Sequence, residues 1–433
     1  MSRSILSMPV AGLLTALLVV GCGNSAPTPV PNSPSPSESG SPKPTNAPSG
    51  SASPSASSGP GEDGYEAIEA VVREIRELEE QKPVEPEVLD EAALGEYVRA
   101  EFDEQNPPAY VEAYNRLLKH LGLVAQDADV QELYFELLES QVLGLYDPQS
   151  DRMFVVSRPG TPGVLDQATY AHEYGHALQD QAFDLEAVQA WATDQGDRSI
   201  ARLALIEGDA MLIMTLWAQQ ELTPEQLLEL ATSSSPEQDA VLERMPAILR
   251  EQLLFPYTAG LNYVLGLQLA GGWDAVDAAF ADPPDTTEQI LHPERADEPA
   301  VEVTFPPDLA SGMGQGWSEA LQDTFGEFQL GVWLREAGLT SAEADAIGEG
   351  WGGDRLVLLE GPSGAWATAV EIVWDSATDA DAFRAAAGEL VTLLEDAGGE
   401  ADVLPRDQRT TTVVVGSDAN AMGRLANRLG LAG

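Results

Sequence analysis

The chain has 433 residues and a formal net charge of −49 at pH 7, from 22 Lys and Arg against 71 Asp and Glu. So acidic a surface argues against nucleic acid and anionic lipid as partners, and it favours solubility. The single cysteine excludes any intrachain disulfide, so the folded part holds together by its core, which this length permits.

After Arg3, Ile5 to Val20 is almost continuously apolar. That is the length of a signal-peptide core and too short for a comfortable membrane span. The run closes with Val19-Val20-Gly21-Cys22, which resembles the lipobox of bacterial lipoproteins. The resemblance implies a signal peptide over residues 1–22, a lipid on Cys22, and an extracytoplasmic chain anchored to the bacterial cell membrane. Residues 23–62 are mostly Ser, Pro, Gly and Ala. Such a segment cannot bury enough surface to offset the entropy of ordering, so a disordered, proline-stiffened tether is expected.

Ile68, Val71, Val72, Ile75 and Leu78 recur at helical steps and predict a helix over Tyr65 to Leu78, stopped at Lys82-Pro83. Further helices are expected over 94–102, 109–121 and 130–142. His120, at the end of the second of these, suits a helix C-terminus as a protonated imidazole. Gly144 to Pro148 and Met153 to Val156 read as a short hairpin. Pro159, Gly160, Pro162 and Gly163 then break the chain before a helix over Leu165 to Asp184. Helices are expected over 199–219, 224–230, 236–249, 251–270, 275–280, 321–336 and 341–349. From Trp351 the pattern becomes strand, strand, helix, strand, strand, helix, with the first helix over Asp379 to Ala397. The fold class is α+β, with a mainly helical part over 63–350 and a small C-terminal module over 351–433. Trp351-Gly352-Gly353-Asp354 at its start reads as a tight structural turn.

The predicted helix over Leu165 to Asp184 carries His172-Glu173-Tyr174-Gly175-His176, an H-E-x-x-H motif using two of only four histidines. Residues four apart share a helix face, so both imidazoles can reach one zinc ion. Glu173 can reach a water on that ion and take its proton. Gly175 weakens the helix by about 1 kcal/mol relative to Ala and allows a close neighbour. A third ligand must be a carboxylate. Glu207 lies in the apolar stretch Leu203 to Met214, where an unpaired acid is costly to bury. Pairing of Glu207 with Arg202 is the alternative, and Asp209 competes as ligand or as a partner behind one. Asp180 and Asp184 follow on roughly the same face, as candidates to orient a ligand imidazole through its other nitrogen.

This arrangement resembles the gluzincin class of zinc metallopeptidases, whose two motif histidines are joined by a downstream glutamate. The stretches His172 to Leu185, Glu207 to Ala210 and Leu291 to Glu294 are also similar to a group of little-characterised bacterial metallopeptidases. The resemblance implies a zincin-like catalytic domain, a Zn2+ cofactor and a peptide or protein substrate, the chain being read as a monomer. There are departures. The aminopeptidase branch would place its ligand at Gln195, thermolysin-like members have an Asp where Met211 stands, and the metzincin pattern fails at Gln179 and Ala182. Gluzincins commonly use a Tyr or His to bind the developing oxyanion. His292 is the first candidate here, with Tyr257 and Tyr263 behind it. An edge strand at Met153 to Val156 would pair with an extended substrate. Two other readings stand beside the peptidase: a zinc hydrolase of cell-wall amides or esters, and a silent binding lipoprotein of the same fold.

Overall fold

The computed structural model describes residues 62–156, 163–189 and 194–431. Cys22, the signal segment and the tether up to residue 61 lie outside them, as do Pro159, Gly160 and Pro162. The expected first helix is α1 (Glu62–Arg76), with Ile68 and Val72 buried. It is followed by β1 (Pro86–Leu89), α2 (Glu91–Gln105), α3 (Pro108–His120), α4 (Val130–Gln141), β2 (Gly144–Asp147) and β3 (Arg152–Val156). The motif helix is α5 (Val164–Phe183). Then come α6 (Leu185–Gln189), α7 (Gly196–Glu221), α8 (Pro224–Ala231), α9 (Pro236–Arg244), α10 (Ala247–Gly271), α11 (Trp273–Ala281), α12 (Thr287–Leu291) and α13 (Leu309–Gly312). The chain ends with β4 (Ser318–Asp323), α14 (Gly326–Glu336), α15 (Ser341–Gly348), β5 (Trp351–Glu360) and β6 (Trp366–Trp374). After these run α16 (Ala377–Ala385), α17 (Ala387–Asp396), β7 (Glu400–Pro405), β8 (Thr410–Gly416) and α18 (Ala419–Arg428).

The protein is α+β. The expected hairpin is β2 and β3, but a strand absent from the sequence reading, β1, pairs parallel with β3 on its other side. Sheet order is β1-β3-β2, so Met153 to Val156 is central and not an edge. Arg152 secures the added strand with two bonds to Glu87, 2.7 and 2.6 Å.

The C-terminal sheet has order β4-β5-β6-β8-β7 and is antiparallel throughout. Its last four strands follow the expected order, with the helix expected over 379–397 split in two. β4 corrects the helix expected from Leu321. Leu321 and Asp323 are both buried, the two-residue period of a strand, and the carboxylate hides that period in the sequence. The helix starts only at Gly326, whose φ is 69°. The sheet therefore reaches back past the expected boundary at residue 350. The strand β5 opens with a bulge between Trp351 and Gly353 where a tight structural turn was expected. The expected break between residues 249 and 251 falls instead at Met245-Pro246, and Pro256 sits inside α10.

One apolar cluster runs from α1 through α5, α7 and α10 to one sheet face, through Leu356, Leu358, Val370 and Ile372. The helix α18 covers the other face, its Leu425 packing in one cluster with Val357, Leu359 and Val414. The two parts of the chain thus share a core. His120 lies at this junction and corrects the protonated reading. Its ring stacks on Trp366 at 3.6 Å, and burial, with Arg116 and Lys119 nearby, pushes its pKa down to about 4. Among the described residues, no helix is long and apolar enough to cross a membrane.

Candidate metal centre

Every residue of α5 from Ala168 to Gln179 is buried, as expected of a helix with neighbours on all sides. The helix α7 crosses it. A β-carbon on Gly175 would lie 3.2 Å from Ile213 Cδ1 and 3.8 Å from the Ala210 Cα, so the motif glycine does admit a close neighbour. Gly208 serves a different helix. It faces Gly260 of α10, and a β-carbon on either residue would run into the other helix's backbone. That contact brings Tyr257, one turn before Gly260, to 6.3 Å from His172 between ring centroids. The start of α7 is fixed by Asp323, which accepts the Gly196 N–H at 2.7 Å; burial pushes this carboxyl up to about 7.

The crossing brings three side chains together. His172 Nε2 and His176 Nε2 are 3.0 Å apart, and Glu207 Oε2 lies 3.2 and 3.4 Å from them. All three residues are fully buried. Two ligands about 2.0–2.1 Å from one tetrahedral ion stand about 3.3 Å apart, which is the spacing seen here. Glu207 Oε1 and His172 Nδ1 are buried without a hydrogen-bond partner among the described residues. A carboxylate so enclosed is costly unless a cation shares the site. The donor set therefore fits a metal ion. Burial, with His176, lowers His172 to about 4 against the pull of Glu207, which keeps the ring neutral and able to ligate. Burial alone would raise Glu207, but the two imidazoles hold its carboxyl below the ordinary value. Arg202, the alternative partner, instead binds the Val188 carbonyl and Asp285.

Glu173 is also fully buried. It lies under β2: a β-carbon on Gly144 would be 3.0 Å from Glu173 Cγ and 2.7 Å from Thr169 Cγ2. Asp209 is not a ligand. Both its oxygens lie 3.0 Å from Arg76 Nε, and Oδ2 accepts from Gln179 Nε2 at 3.0 Å. Gln179 Oε1 faces His176 Nδ1 at 2.8 Å. Gln179 and Arg76 were missed by sequence reasoning. A glutamine three residues after a ligand, on its face, is a usable signal; an arginine 133 residues from its carboxylate is not.

Two expectations are corrected. Asp180 does not orient a histidine. It accepts from Tyr146 Oη at 2.9 Å and the Leu185 N–H at 3.0 Å, closing the end of α5. Nor does Asp184, which caps α6 through the Ala187 N–H. His292 ends α12 and bonds Glu327 of α14 at 2.9 Å, in a cluster with Glu288 and Arg295. Tyr257, not His292, has its ring beside a candidate ligand, and Tyr263 is a buried helix residue of the core.

The model of a family described as a domain of unknown function (DUF8575) matches residues 316–426. That span runs from just before β4 into α18, and leaves out all three candidate ligands. No curated protein and no solved structure matches the chain.

Proposed function

We propose that this chain is a zinc-dependent peptidase, tethered outside the bacterial membrane by a lipid on Cys22. The observation that carries the reading is the convergence of His172, His176 and Glu207 to within 3.4 Å, with Glu173 one residue from the first ligand. Two imidazoles and a carboxylate are a donor set that would suit zinc. Bound there, zinc supplies a Lewis acid that polarises a carbonyl and acidifies water. Glu173 takes the proton from the attacking water and returns it to the leaving amine. Tyr257 is the side chain best placed to donate to the developing oxyanion. Since β3 is central, the strand lying against Glu173 is β2, at Gly144, and it is buried along its length.

The test is metal analysis of the purified full chain with cleavage of a mixed peptide library, for wild type and Glu173→Gln. Near one zinc per chain in both proteins, with cleavage in the wild type alone, supports the reading. Zinc-loaded wild type that leaves the library intact would overturn the peptidase. Absence of zinc binding would overturn the metal centre.

A further inference from the structure

We propose that Gln179 is the positioning residue for His176, and that the buried pair Arg76–Asp209 decides which way its amide points. The inference rests on the metal reading above. It follows from donors and acceptors alone. A guanidinium only donates, so Asp209, 3.0 Å from Arg76 Nε, is held as an acceptor. Gln179 Nε2 lies 3.0 Å from Asp209 Oδ2 and 3.1 Å from the Ile206 carbonyl oxygen, another pure acceptor. Both amide hydrogens are thereby committed. The amide orientation is thus fixed by its partners and not by atom labels.

Gln179 Oε1 must then face His176 Nδ1, at 2.8 Å. An amide oxygen only accepts, so the ring proton sits on Nδ1. His176 Nε2 keeps its lone pair, aimed at His172 Nε2 and Glu207 Oε2. Outer partners of this kind are commonly carboxylates or backbone carbonyls bonded directly to the imidazole. Here a neutral amide takes that place and the carboxylate stands one link further out. Arg76 is the last residue of α1, so the first helix of the described chain sets the tautomer of a ligand 100 residues on.

The chain has only four histidines, so long-range 1H–15N spectra of 15N-histidine-labelled, metal-free full chain can report the tautomer of each. Zinc affinity is measured beside it by chelator competition. The wild type is expected to show His176 protonated on Nδ1. Asp209→Asn offers Gln179 a donor as well as an acceptor, so its amide can turn. A mixed tautomer and about 10–100-fold weaker zinc binding are expected. The double variant Asp209→Asn/Gln179→Glu keeps the total charge and leaves only an acceptor facing His176 Nδ1, so it is expected to recover the Nδ1 tautomer, while the carboxylate set against the Ile206 carbonyl makes it less stable than wild type. A single variant with unchanged tautomer and affinity overturns the proposal. So does a folded double variant whose His176 tautomer stays mixed. If Asp209→Asn does not fold, Gln179→Leu leaves Arg76–Asp209 intact and is judged on the same spectrum, where an unchanged tautomer overturns the proposal. If the wild type binds no zinc, the metal reading fails while the tautomer result still decides the role of Gln179.

Discussion

Gly208 of α7 and Gly260 of α10 meet backbone to backbone, directly beside the candidate ligand Glu207. No side chain fits there. Gly208→Ala or Gly260→Ala must push the two helices apart, at about 3 kcal/mol or somewhat more for overpacking. The same shift moves Glu207 and Tyr257, so zinc affinity should fall at least about tenfold. Gly266, exposed on the same helix with nothing within 4 Å, is the control. Gly266→Ala should be neutral or stabilising by up to about 1 kcal/mol. Denaturant unfolding and zinc titration of the three variants check this.

Metal removal should lower the melting temperature. An ion that binds only the folded state stabilises it by about 4 kcal/mol at a thousand times its Kd. A chelator should therefore destabilise the wild type and leave His176→Ala and Glu207→Gln unchanged. Scanning calorimetry with and without chelator reads the difference. Equal shifts in all three proteins would place the ion elsewhere.

Gly144 sets the room available to Glu173. The added methyl of Gly144→Ala would press on Glu173 Cγ and Thr169 Cγ2. Cleavage should drop by about 100-fold, the size expected for misplacing a catalytic group by about 1 Å, with zinc content unchanged. Gly144→Ala/Thr169→Ser removes the nearer clash and should recover part of the activity. Peptide kinetics with parallel metal analysis checks both.

Arg76 is fully buried between Asp209 and Asp277, over the Trp273 ring at 4.6 Å. Burial raises the Asp209 carboxyl, while Arg76 and Gln179 pull the other way. Arg76→Met keeps much of the packing and strands a buried carboxylate. The expected loss is about 3–5 kcal/mol in urea unfolding.

His120 makes stability depend on acid. Its folded pKa is about 4, below the ordinary 6.5. Between these values the unfolded chain holds the proton and the folded chain does not, so stability rises with pH there. This contribution is intact above about 6.5 and is lost progressively down to about 4, amounting to at most about 3 kcal/mol. His120→Phe keeps a ring against Trp366 and should flatten that part of the stability profile. Urea midpoints at pH 4.5, 5.5 and 7 measure it.

His172, Glu173, His176 and Glu207 were readable because their signals are local: helical spacing in one case, an acid inside an apolar helix in the other. The hairpin and most helices were readable from periodicity. Three features lacked a local signal. The strand β1 is four residues long and pairs with a strand far along the chain. The strand β4 carries an acid on its buried side, held by the N–H groups of Gly196, far away in the chain, and Thr324. His292 sits in a motif-like stretch, and its partner Glu327 is 35 residues away.

By itself the sequence determined which side chains can ligate, because the turn of an α-helix fixes how far apart residues four apart lie. Which distant groups pack against those candidate ligands was decided only by the tertiary structure. Backbone contact at Gly208 and Gly260, and the buried Arg76 arriving from α1, depend on how helices far apart in the chain cross, and helical periodicity carries no record of that.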